Sequence, residues 1–443
     1  MKKVIIIGAA GRDFHNFNTY YRDNPDYQVV AFTAAQIPDI AGRLYPTELA
    51  GSQYPNGIPI YPQEELEMLI KKHQVEECVF SYSDVKYDFV MGVGAKVNAA
   101  GAAFTLLGPK QTMIKSKKPV ISICATRTGC GKSQTTQKVI EILNKRGLKT
   151  ISIRHPMPYG DLREQIAQRF ATLDDLQKHK CTIEEMEEYE PHIVKGNIIY
   201  AGVDYEEILK QAESDPAGCD VILWDGGNND FPFYETDLTI TVVDPHRSGH
   251  ELRYYPGEVT LRIADVVVIN KIDSADFADI QTVRSNIAAV NPNAVVVDAA
   301  STIHVSDPQV IQGKRVLVIE DGPTLTHGDM EIGAGFVAAH RFGALEIVDP
   351  RPYAVGALAK TYKKYPHLGA VLPAMGYGKQ QVCDLAQTIE CTPCDGVIIA
   401  TPTDLGRLFR INKASTRVSY ALQEIGSPCL EEVLDEFLES RLK

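Results

Sequence analysis

Apolar residues fall in short runs separated by amphipathic stretches, so strand and helix are predicted to alternate along most of the chain. Residues 3–7 read as a buried strand, 8–13 as a turn and 16–22 as a helix. Strands at 28–32, 77–81 and 103–107 alternate with helices at 65–73 and 87–99. A polar linker at 111–118 precedes a strong apolar run at 119–125 and a helical pattern at 134–145. Further strands are predicted at 149–153, 220–224, 238–243, 265–269 and 295–297, then at 315–319, 344–348, 370–373 and 396–400. Residues 162–219 lack this alternation and read as a mostly helical insertion, with Glu184–Glu188 as a solvated face. Alternating strands and helices give parallel sheets that bind ligands beyond the carboxyl ends of their strands.

The run at 119–125 opens into Thr126-Arg-Thr-Gly-Cys-Gly-Lys-Ser133. Strand, glycine-rich turn and helix in that order make a phosphate-binding loop. Backbone N–H groups of Thr128, Gly129, Cys130, Gly131, Lys132, Ser133 and Gln134 are expected to cradle phosphates at the positive helix end. Lys132 reaches the outer phosphates, and the Ser133 hydroxyl is suited to Mg²⁺. Thr126 departs from the pattern, which has a first glycine there. Asp220–Asp225 is an apolar run ending in Asp-Gly-Gly. Asp225 is the expected second carboxylate of the Mg²⁺ site, placed to act in phosphoryl transfer with Lys132. Asn270-Lys271-Ile272-Asp273 follows another buried strand and has the form of a base-recognition motif. Asp273 suits the two N–H donors of guanine, so the motif by itself reads as GTP-binding, although Asn270 can also contact adenine.

These motifs define an α/β chain with three expected parts. An N-terminal Rossmann-like α/β domain spans 1–115. A central P-loop NTPase domain spans 116–314 and carries the helical insertion at about 162–219. A C-terminal α/β domain spans 315–443. The first turn, Gly8–Asp13, is a degenerate dinucleotide fingerprint, and Thr33 stands where an acidic ribose contact would be, which disfavours NAD. Arg12 and His15 are candidate anion contacts in that turn.

At 443 residues the chain is long enough for two to four domains, and its 44% hydrophobic content predicts folding throughout. A net charge of −12 disfavours nucleic acid as a partner. Nine scattered cysteines and no leader pattern point to a reducing cytoplasm. No apolar run is long enough to span a membrane. Cys391-Thr-Pro-Cys394 lacks the second pair of a zinc site. A small anionic substrate would need local cations. Arg154 and His155 end a strand beside the phosphate loop, His246 and Arg247 follow another, and Thr326-His327 lie in a polar glycine-rich loop. Arg is favoured for bidentate phosphate contact.

With these pieces in place, the chain resembles the cyclic 2,3-diphosphoglycerate synthetase family. The residues that carry the resemblance are Ala125–Ser133, Ile153–Gly160, Asp225-Gly-Gly-Asn-Asn-Asp230, Asn270–Asp273 and Glu320–Gly328. Its P-loop core is similar to the class holding dethiobiotin synthetase and metal-insertion GTPases. The resemblance implies an ATP- and Mg²⁺-dependent synthetase that closes 2,3-diphosphoglycerate into its cyclic pyrophosphate, releasing ADP and phosphate. It places Lys132, Arg154, His155, Asp225 and His327 in catalysis. Arg154, His155, His246, Arg247, Thr326 and His327 would surround the phosphorylated acid, with the Arg154 and His327 loops meeting over the acceptor. A homodimer is expected. The alternative is a regulatory or metallochaperone-type GTPase with a protein client.

Overall fold

The computed structural model describes residues 1–9, 11–35, 40, 42–155, 160–227, 229–326, 330–375 and 379–441. It has the mixed α/β architecture that the alternation predicts. The chain folds as two compact units: Met1–Arg169, Ile198–Asp298 and Gly426–Lys443 form the first, and Phe170–Asn197 with Ala299–Ile425 form the second. The boundary expected at 115/116 therefore falls between two sheets of one unit.

The first sheet of unit one has six strands, ordered Leu44–Tyr45, Ile58–Pro62, Tyr27–Ala34, Lys2–Ile7, Glu77–Phe80 and Ala103–Thr105. Only the Leu44–Tyr45 edge is antiparallel. The helix expected at 16–22 starts earlier. Arg12–Asn16 is α-helical and Phe17–Tyr21 continues as a wider π-turn. Phe14, Phe17 and Tyr21 then fall on one face, and all three are buried against Phe32 and Ile6.

The second sheet of unit one carries the phosphate loop. Its order is Gln168–Phe170, Ile198–Ala201, Thr150–Arg154, Val221–Asp225, Val120–Ala125, Leu238–Val243, Val266–Ile269 and the start of Val295–Val305. The Val120–Ala125 strand is buried along its whole length between parallel neighbours, which explains its unbroken apolar sequence. Trp224 lies opposite Ile153 and Asp225 opposite Ile123, so three loops leave the same carboxyl edge side by side. The Leu430–Arg441 helix, expected in the C-terminal domain, belongs to this unit. Arg146 Nη2 donates to Asp435 Oδ2 at 2.6 Å, and Arg441 pairs with Asp237 at 3.0 Å.

In unit two, Arg315–Asp321 lies parallel to Gly396–Ala400 on one side and to Glu346–Ile347 and Leu372–Ala374 on the other. Ser415–Glu424 extends the sheet and pairs antiparallel with the later part of Val295–Val305. The region 162–219 is less helical than expected. It includes the strands Gln168–Phe170 and Ile198–Ala201, and its Phe170–Asn197 part belongs to unit two. The Ile183–Val194 helix is not solvated at Glu184, Glu185 or Glu187, all of which are buried. Glu185 folds back on Thr182 in a capping box, and Glu187 accepts a hydrogen bond from Thr401. No helix among the described residues is long and apolar enough to cross a membrane.

Candidate active site at the phosphate loop

The Lys132–Lys145 helix begins at Gly131, whose φ is 108°. A Cβ there would lie 2.0 Å from Asn270 Nδ2, so both backbone and neighbour require glycine. Asn270 is fully buried and donates to the Cys130 carbonyl at 2.9 Å. Lys271 Nζ donates to the Gly129 carbonyl at 2.6 Å and pairs with Asp244 at 2.8 Å. The Asn270-Lys271 pair thus fastens the back of the loop. Asp273 is exposed next to it. Asp244 also pairs with Arg247 at 3.1 Å. Burial pushes the Asp244 carboxyl up, but Lys271 and Arg247 outweigh burial and hold it at about 2. Arg247 also donates to Cys130 Sγ at 3.5 Å, while burial raises that thiol.

Asp225 is wholly buried at the carboxyl end of its strand. Its Oδ1 accepts from Lys132 Nζ at 2.7 Å and from Thr136 Oγ1 at 3.0 Å. Its Oδ2 accepts from Arg154 Nη1 at 2.9 Å. One carboxylate therefore gathers a cation from the loop, a hydroxyl one turn into the helix and a guanidinium from the neighbouring strand end. Thr136 lies outside the phosphate-loop motif, but its spacing of four from Lys132 puts both on one helix face. Ser133 is exposed and Gln134 half-buried on the same first turn. The Ser133 hydroxyl and the Asp225 carboxylate are oxygen donors of the type that Mg²⁺ takes, an ion that uses few protein ligands and fills its shell with water and phosphate oxygens.

Several expected anion-binding groups are committed internally. Arg12 is buried, donates through Nε to both oxygens of Asp230 at 3.0 Å and packs over Phe231 and Phe233. His15 Nε2 is 2.7 Å from the Thr112 carbonyl, and its ring stacks on Phe233. The anion that Arg12 meets is thus the chain's own Asp230. His155 is not the cation expected. It is buried among Phe233, Trp224 and Tyr205, and burial, with Arg12 and Arg154 nearby, holds it well below the usual histidine range. The bulk of a Cβ at Gly11 or Gly227 would collide with its ring. His246 stays exposed, with Nε2 2.9 Å from Ser274 Oγ. In unit two, Thr326 is buried and donates to the Gly322 carbonyl at 2.9 Å. His327 lies outside the described residues, and so does the expected meeting of its loop with that of Arg154.

Residues 216–298, which include Asp225, Asn270 and Asp273, match the CobW/HypB/UreG nucleotide-binding domain. Arginine synthetase ArcE of Thermococcus kodakarensis is 62% identical over 436 residues, covering 98% of this chain and 97% of its own. Likenesses among solved structures are loose and carry no argument. An apo-form LpxK from Aquifex aeolicus in complex with ATP aligns with a TM-score of 0.41 at 12% identity, over 73% of this chain and 90% of its own. A murein peptide ligase Mpl from Psychrobacter arcticus aligns at 0.28 and 11%, over 100% and 94%. The expected P-loop class holds, and the chain belongs to the family of arginine synthetase ArcE as a nucleotide-dependent synthetase.

Proposed function

We propose that the chain is an ATP- and Mg²⁺-dependent synthetase that activates an acceptor oxygen with the γ-phosphoryl group and then lets a nucleophile displace phosphate. Arginine is the product that its 62% identical relative's name supports. The acceptor oxygen is then that of a ureido group, and an amine nitrogen is the nucleophile. Making a guanidine from a ureido group removes oxygen, and phosphorylation turns that oxygen into a leaving group. The observation that carries the reading is the buried Asp225 carboxylate gathering Lys132, Thr136 and Arg154 at one sheet edge. Lys132 neutralises the outer phosphates when it turns from Asp225 to the nucleotide. Asp225 and Ser133 would hold Mg²⁺, which would supply positive charge to offset that on the phosphates. Arg154 keeps Asp225 in place.

The sequence resemblance to cyclic 2,3-diphosphoglycerate synthetases favours a second acceptor with the same first half-reaction. There the activated oxygen belongs to one substrate phosphate and the nucleophile is the other. The test supplies ATP and Mg²⁺ with either citrulline plus ammonium or 2,3-diphosphoglycerate. Arginine is followed by chromatography and cyclic pyrophosphate by phosphorus NMR. Arginine formation without cyclisation supports the first reading, and the converse result replaces it with the second. Nucleotide hydrolysis indifferent to both acceptors would favour the GTPase alternative.

A further inference from the structure

One more carboxylate reaches the phosphate loop, and it comes from beside the other sheet of the same unit. Asp84 stands between the Glu77–Phe80 and Val85–Lys86 strands, with φ at 57°. Its Oδ1 accepts from Arg127 Nε at 2.6 Å. Its Oδ2 accepts from the Thr128 backbone N–H at 3.2 Å and from the Thr128 hydroxyl at 2.7 Å. Backbone N–H, hydroxyl and guanidinium together are the donor set that phosphoryl oxygens take. Thr128 belongs to the stretch whose N–H groups cradle phosphates in loops of this kind.

The guanidinium side is equally fixed. Arg127 Nη1 donates to His250 Nδ1 at 2.7 Å, and its carbon sits 3.6 Å over the Tyr254 ring. Burial and then Arg127 pull His250 down to about 4, leaving its ring a neutral acceptor. Tyr254 pairs with Lys86, two residues from Asp84, so the segments holding the two ends of the ion pair are themselves hydrogen-bonded. Asn229, from the turn after Asp225, donates to Thr128 Oγ1 at 2.9 Å. Arg127 has 1% of its surface exposed, too little for an ordinary surface ion pair.

We propose that Asp84 is a positioning residue that serves as an internal counter-anion of the phosphate loop. Its carboxylate holds donors on Thr128 and Arg127 that the terminal phosphoryl group of a bound nucleotide takes, so nucleotide binding works against it. A mere brace would have the opposite sign: removing it would loosen the loop and weaken binding. Removing a competing anion leaves Arg127 uncompensated beside an anion site and tightens binding. The inference rests on the loop being a nucleotide site.

The test is calorimetric titration of the full chain with ATP and with ADP, in wild type, Asp84→Asn, Arg127→Gln and the double variant. Asp84→Asn should bind ATP about fivefold tighter, with a smaller gain for ADP. Arg127→Gln should bind ATP more weakly, and the double variant should return towards wild type. Unchanged or weaker ATP binding by Asp84→Asn overturns the proposal, as does an equal gain for ADP. Wild type that binds neither nucleotide would sink the nucleotide reading itself, a separate result. If Asp84→Asn does not fold, hydrogen exchange on wild type decides. Saturating ATP should speed exchange across residues 82–87, and unchanged or slower exchange there overturns the proposal.

Discussion

Asp225 in the first unit and Glu187 in the second are both buried carboxylates, but their surroundings have opposite character. Asp225 is met by Lys132, Arg154 and Thr136. Glu187 is met by the Thr401 hydroxyl, and burial together with nearby Asp321 holds its carboxyl well above the ordinary range. The first group keeps a charge among cations beside the glycine-rich loop. The second keeps a proton where helix and sheet pack. A buried carboxylate needs either a cation or a proton, and which it receives separates a reactive edge from a packed one.

The sharpest way to break the contrast is to remove the cation. Lys132→Ala should lower turnover by about 100-fold or more, because a preorganised charge at the transferring group is lost. Melting should fall only modestly, since Arg154 and Thr136 still hold Asp225. Steady-state ADP release and calorimetry on the two proteins check this, and wild-type turnover in the variant would remove Lys132 from the chemistry.

Gly131→Ala should come next. The residue has φ at 108°, and a Cβ would lie 2.0 Å from Asn270 Nδ2. The left-handed backbone alone costs about 1–2 kcal/mol in a residue with a side chain. Asn270 must also give up its bond to the Cys130 carbonyl. Turnover should drop at least tenfold, on the order of 1.4 kcal/mol in the barrier, with melting clearly lower. Nucleotide titration and a thermal scan read both, and a variant with wild-type nucleotide affinity would show that the Asn270 contact is dispensable.

These predictions also mark what was legible in the sequence. The phosphate loop was, because strand, glycines, lysine and helix are contiguous and each has a local reason. The Asn270-Lys271 motif was visible too, yet its side chains grip loop carbonyls, a role that shows only once residues 140 apart in sequence come together. Arg154 looked like a free cation because Asp225 lies 71 residues away on the neighbouring strand. His155 looked like its partner in charge, but a ring packed among Trp224, Phe233 and Tyr205 cannot keep a proton cheaply. Glu184–Glu188 looked solvated because charge runs on helices usually are, yet Glu184, Glu185 and Glu187 are buried. Glu187 is met there by Thr401 and lies near Asp321, more than 130 residues away in sequence, which no local pattern describes. Asp84 had no signal at all, since a lone Asp in a turn reads as a turn residue.

Arg154→Ala should have a smaller effect than either loop variant on chemistry, but a visible one on stability. Asp225 would keep Lys132 and Thr136 and lose one charged hydrogen bond of about 1.5–3 kcal/mol. Because Arg154 acts through Asp225, turnover should fall while the KM for the acceptor stays within a few-fold. A selective rise in acceptor KM, with kcat and melting unchanged, would instead place Arg154 on the substrate.

The effect that reaches least into the chemistry is the dependence of each unit's stability on pH, and its sign differs between the two. In unit one, Asp244 is held at about 2 against an ordinary 3.8. Its contribution is present above about 4 and lost as pH falls through 2, on the order of 2 kcal/mol. In unit two, burial raises Glu185 to about 7 and Glu187 further in the same direction. The folded unit there binds more protons than the unfolded chain. Stability is thus fully present below about 4.5 and lost as pH rises through 7, on the order of 3 kcal/mol for Glu185 alone. Native hydrogen exchange, read separately in the two units, should show unit one opening more readily towards pH 3 and unit two towards pH 8. Asp244→Asn should flatten the acid side, and Glu187→Gln, which needs no proton, should reduce the alkaline loss to the part that Glu185 contributes. An alkaline loss that persists undiminished in Glu187→Gln would mean that Glu187 is ionised at neutral pH, and the contrast with Asp225 would fail.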